Sequence, residues 1–114
     1  MHVNDEIMKI ADRIRTAVDP EKIYLFGSYA NGVPSEDSDY DLYIIVSDDA
    51  ERPLEIKRRI YKELGKSKMP VPVDIIAKHS SAFLEMSVLP TLERTVAREG
   101  VLLYERDGFD LRMV

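Results

Sequence analysis

The stretch that decides the fold runs Leu25-Phe26-Gly27-Ser28-Tyr29-Ala30-Asn31-Gly32, crosses a polar loop and resumes as Ser38-Asp39-Tyr40-Asp41-Leu42-Tyr43-Ile44-Ile45-Val46. Its first part closes a short aromatic and β-branched run, residues 22–26, that reads as a buried strand. Gly27-Ser28 breaks that strand, and the polar segment 31–38, with Gly32 and Pro34, reads as a loop. The second part, residues 40–46, reads as a second strand. Asp39 and Asp41 stand two apart at its head, so their side chains point to the same face.

Upstream, Ile7, Ile10, Ala11, Ile14, Ala17 and Val18 recur at helical spacing over residues 4–18. Asn4 is placed to cap that helix, with Asp5 and Glu6 where the dipole favours negative charge. Asp19-Pro20 stops it. Downstream, Pro53 suits the first turn of a helix to about residue 64, with Gly65 past its end. Leu54, Tyr61 and Leu64 are expected on its apolar face with Ile60 beside them, and Lys57, Arg58 and Arg59 on the other. Residues 71–77 form a third strand candidate, and Pro72 near its start suggests an edge or a strand beginning. Helices are expected over 80–89 and 91–99, the second stopped by Gly100, and then a strand over 101–104. The order α-β-β-α-β-α-α-β predicts an α/β (α+β) fold, a mixed β-sheet of about four strands with helices packed on it. Residues 1–104 are read as a single domain and 105–114 as a loose tail.

Composition narrows the function classes. At 114 residues and 13.1 kDa the chain has room for one core, and it buries enough surface to fold alone. Its net charge of −5 and pI near 5.0 argue against clamping long nucleic acid, which needs a basic surplus. The lack of cysteine excludes a disulfide framework, a thiolate zinc site and a thiol nucleophile. No apolar run is long enough to span a bilayer, and the first residues, MHVNDEIMKI, lack the layout of a secretory signal. The expectation is a soluble cytoplasmic protein.

Asp74 joins the two aspartates as the third candidate, because it lies in the apolar run Val73-Asp74-Ile75-Ile76. A buried unpaired carboxylate is costly or is forced to protonate, and three on neighbouring strands would repel one another. A divalent cation removes both problems, and an oxygen-only donor set points to Mg²⁺ or Mn²⁺. Gly27 lets the backbone approach a ligand, and consecutive N–H groups at Gly27-Ser28 can form an anion nest, with a helix starting at Ser28 adding its dipole. A phosphate cradle facing an acidic metal site suits nucleotide polyphosphate chemistry.

Gly27-Ser28, ten residues and then Asp39-Tyr40-Asp41 resembles the signature of the DNA polymerase beta-like nucleotidyltransferase superfamily. The fuller string LFGSYANG…SDYDLYIIV resembles its minimal nucleotidyltransferase branch, small proteins many of which are antitoxins encoded beside a HEPN-domain toxin. The resemblance covers about residues 23–77. It implies that Asp39 and Asp41 hold a Mg²⁺ carrying the nucleotide triphosphate, that Asp74 joins them on a second ion and helps activate the acceptor hydroxyl, and that Gly27 and Ser28 bind the β- and γ-phosphates. The implied reaction is in-line attack on the α-phosphorus of ATP with loss of pyrophosphate. Many relatives carry arginine at one or both positions held here by Tyr29 and Asn31. Lys78 and the Lys57-Arg58-Arg59 cluster are the candidate substitutes.

The shortness of the chain favours an acceptor carried on another protein, so the leading expectation is an antitoxin that transfers AMP to a hydroxyl, a tyrosine, of a HEPN ribonuclease toxin. The alternatives are a non-catalytic module that neutralises its partner by binding, and a nucleotidyltransferase for a small molecule of the aminoglycoside type. His79, His2 and the methionines carry no expected role, and a sheet edge or apolar helix face leaves a homo-oligomer open.

Overall fold

The computed structural model describes residues 4–32, 39–66 and 71–106. The loop 33–38, the tail beyond 106 and His2 therefore lie outside the described residues. Helix α1, Asp5–Val18, starts as its sequence requires: the Asn4 side chain accepts the Ile7 backbone N–H at 2.8 Å. Ile7, Ile10, Ala11 and Ile14 form its buried stripe, and it ends on Asp19 in the left-handed region, φ 46°. Strand β1, Lys22–Phe26, leads through Gly27 into the short helix α2, Ser28–Asn31. Strand β2, Tyr40–Val46, is followed by α3, Pro53–Leu64, and β3, Val73–His79. Helices α4, Ser80–Ser87, and α5, Leu92–Glu99, precede β4, Val101–Glu105. Thr91 caps α5 by accepting the Arg94 N–H.

The sheet order is β3-β2-β1-β4. β1 pairs antiparallel with both β2 and β4, whereas β2 and β3 are parallel, joined by α3 as the crossover that a parallel pair needs. Strand alternation then divides the core. Leu42, Ile44 and Val46 of β2, with Ile23 and Leu25 of β1 and Ile75 and Ala77 of β3, pack beneath α1 and α3. Tyr43 and Ile45, with Tyr24, Phe26 and Ile76, face Phe83 of α4 and Val96 of α5. β2 is central and covered on both sides, which accounts for its unbroken apolar run.

Some expectations change, among them the start of the tail, since Glu105 belongs to β4 and pairs with Lys22. The buried face of α3 is Ile56, Ile60 and Leu64, while Leu54 and Tyr61 are exposed. Tyr61 instead reaches over the sheet edge, its hydroxyl accepting the Ile75 N–H at 2.9 Å. β3 begins at Val73 rather than 71, immediately after Pro72, and it is an edge strand, so both readings of that proline hold.

Candidate functional site

Gly27 ends β1 with φ 76° and ψ −154°, a conformation essentially confined to glycine. A Cβ built there would collide with the Asp41 carboxylate, and it would lie 3.2 Å from Asp41 Cγ. The glycine turn and the carboxylate are thus packed against each other, which needs both the positive φ and the missing side chain. Register explains the meeting. Phe26 opposes Asp41 across the β1–β2 ladder, and Asp74 opposes Asp41 across the parallel β2–β3 ladder. Paired residues on adjacent strands point to one face, so Asp41 and Asp74 are neighbours. Asp39 stands two residues earlier in the chain, at the same end of the sheet.

The crowding has an electrostatic cost. The Asp41 carboxyl is pushed above its ordinary value by burial first, then by the charges of Asp74 and Asp39. Asp41 is half-buried, but Asp39 and Asp74 are exposed. For Asp74 this overturns the reading of a carboxylate sunk in an apolar strand. β3 lies at the edge, and Phe83 and Val96 cover this face only at Tyr43, Ile45 and their neighbours, beyond the aspartate end. Among the described residues no three acidic or imidazole groups close into a ready-made metal cage. The donor set still fits a hard divalent cation, because three mutually repelling carboxylates and no sulfur offer only oxygen ligands.

The expected cationic substitutes are elsewhere. Lys78 pairs with Ile45, four residues along β3 from Asp74 and so about 13 Å farther down the strand. Arg58 and Arg59 of α3 are held by Glu55 and by Glu51, which precedes the helix, on the opposite side of the sheet. His79 ends β3, its Nε2 2.9 Å from the Glu51 carbonyl, far from the aspartates. Tyr29 is spent on packing: its ring lies 4.6 Å from that of Tyr40 in an edge arrangement. Tyr40 in turn donates to Glu6 at 2.5 Å, and burial followed by that bond pushes its hydroxyl pKa up to about 12.

Sequence reasoning missed two features. Glu93 is buried in α5, where the Tyr43 hydroxyl donates to it at 2.8 Å. Burial and that bond push the Tyr43 hydroxyl far up. The signal was available, since Glu93 falls three residues before Val96 on the same helical face. The second is a cleft of about 190 Å³ beside the glycine turn, with Phe26, Gly27, Ala30 and Asn31 on one side and Leu92, Thr95, Glu99 and Gly100 on the other.

A mixed sheet that sets paired carboxylates against a glycine turn is the layout of a nucleotidyl-transfer domain. The chain belongs to the polymerase beta nucleotidyltransferase family, whose profile matches residues 8–109. Solved structures bear out the fold. A candidate nucleotidyltransferase from Sulfolobus solfataricus superimposes with a TM-score of 0.60 at 17% identity, over 90% of this chain and 80% of the other. A toxin–antitoxin structure, MntA–HpeT with two aspartates changed to glutamate, gives 0.58 at 20% identity over 96% and 80%. A toxin–antitoxin structure with AMP-PNP gives 0.53 at 19% identity over the same shares. A search of curated proteins by sequence gives no match. Among the described residues no helix is long and apolar enough to cross a membrane.

Proposed function

We propose that this protein transfers AMP from ATP to a hydroxyl, a tyrosine, of a cognate HEPN ribonuclease toxin and acts as its antitoxin. The observation that carries the transfer chemistry is the pairing of Asp41 with Asp74 in register, pressed against a Gly27 that admits no side chain. The protein acceptor is supported by the likeness to the toxin–antitoxin structures.

On this reading Asp39 and Asp41 would hold a Mg²⁺ with the triphosphate, and Asp74 would join them on a second. Bound there, the cations supply charge neutralisation on the attacking and leaving oxygens. The backbone at Gly27 and Ser28 receives the β- and γ-phosphates. The exposed Asp74 carboxylate is open to an incoming hydroxyl and takes its proton. The acceptor oxygen bonds to the α-phosphorus, the bond to the β-phosphate oxygen breaks, and pyrophosphate leaves.

The test is ATP labelled at the α-phosphate, incubated with Mg²⁺, this protein and its toxin. Label on the toxin, lost with Asp41→Asn, is the expected result, and no label with a stable complex formed would refute it. A second reading, neutralisation by binding alone, is favoured by the absence of lysine and arginine from the described residues lining the cleft. It predicts that Asp39→Asn/Asp41→Asn protein still silences the toxin in cells.

A further inference from the structure

The cleft beside Gly27 is built for a guest of particular chemistry. At about 190 Å³ it is smaller than the roughly 300 Å³ at which whole-ligand pockets begin, so it takes one side chain or group rather than a separate ligand. Phe26, Ala30 and Leu92 give it an apolar lining, and Asn31 and Thr95 add neutral polar groups. Glu99 carries the charge among the residues that line it. A partly apolar cleft with one carboxylate in its lining matches a long side chain with an aliphatic stem and a cationic head.

Charge balance at the neighbouring site points the same way. If the nucleotide lies along Gly27 and the aspartates, its phosphates join Asp39, Asp41, Asp74 and Glu99, and two divalent ions would offset only about half of the combined negative charge. No basic residue of the described chain lines the cleft. Lys78 is at the other end of β3, Arg58 and Arg59 are ion-paired on α3, and Arg94 and Arg98 lie on α5 outside the lining.

We propose that this cleft receives an arginine of the acceptor protein, its stem on Phe26 and Leu92 and its guanidinium between Glu99 and the terminal phosphates. Nucleotide would then be held tightly only when the acceptor is docked, which guards ATP from idle turnover. The inference rests on the nucleotidyl-transfer reading above.

The experiment measures Mg·ATP affinity of the isolated protein, with ethylguanidinium as the probe and sodium chloride at equal ionic strength as the control. Millimolar ethylguanidinium should tighten binding to the wild type severalfold, and Glu99→Gln should abolish that enhancement. Asn31→Arg, which places the cation in the same chain at an exposed position, should tighten binding about tenfold without the probe, the worth of one charge-assisted hydrogen bond. A wild type indifferent to ethylguanidinium, or an enhancement that survives Glu99→Gln, would overturn the inference and leave nucleotidyl transfer standing. Failure of Mg·ATP to bind the wild type and Asn31→Arg under every condition would overturn both.

Discussion

Gly27→Ala is the sharpest probe of how this site is assembled. The alanine would have to keep φ near 76° and ψ near −154°, or the turn would have to move. Holding a side-chain residue in such a region costs about 1–3 kcal/mol. The new methyl would also meet the Asp41 carboxylate, whose Cβ and Cγ lie 3.4 and 3.2 Å from the added atom. Asp41 belongs to a core strand and cannot slide, so its side chain must rotate away. For a domain of this size a loss of about 2 kcal/mol lowers Tm by roughly 10 °C. Displacement of the carboxylate by an ångström would cost about 100-fold in transfer rate. Thermal unfolding by circular dichroism reads the first effect and labelled-AMP transfer the second. A double-mutant cycle separates their causes: in an Asp41→Ala background, Gly27→Ala should cost about 1 kcal/mol less, because the collision is gone. Strict additivity, or a Gly27→Ala protein as stable and active as the parent, would refute the packing argument.

Asp41→Asn should abolish transfer yet stabilise the metal-free protein at pH 7. The folded-state pKa of Asp41 is raised, so its ionised form opposes folding above that pKa and the penalty fades as pH falls through it. The gain should stay below about 1 kcal/mol because the group is partly open to solvent screening, and equal or lower Tm in the variant would contradict the assignment. Tyr43→Phe strands the buried Glu93 and should cost about 1–3 kcal/mol in urea unfolding, whereas a change under about 0.5 kcal/mol would show that the pair is not held. Lys78→Ala should leave Mg·ATP affinity within about twofold, since that residue sits about 13 Å along the strand from Asp74, and a tenfold loss would relocate the phosphate site.

Most of the architecture was legible because the decisive signals are local. The Asn4 cap, the helix stop at Asp19-Pro20, Pro53 at a helix start and the alternation through residues 40–46 each follow from a few adjacent residues. What stayed hidden depends on relations between elements. The exposure of Asp74 comes from its place at the end of an edge strand, past the part of that face that α4 and α5 cover, which no feature of Val73-Asp74-Ile75 discloses. Tyr61 looked like a core residue because its ring is apolar, yet its hydroxyl is spent on a strand edge. Lys78 follows Asp74 closely in sequence, but an extended strand carries four residues a long way. The cleft joins α2 to α5, which are some sixty residues apart in the chain, so only the folded molecule brings Asn31 and Glu99 to one hollow.

The hydroxyl of Tyr61 has a consequence for how this sheet can grow. The Ile75 N–H is the kind of outward donor by which a foreign strand would attach, and it is already occupied from within the chain. A strand joining at β3 would have to expel that hydroxyl and swing the helix surface behind it, so the side of the sheet nearest Asp74 resists templated stacking.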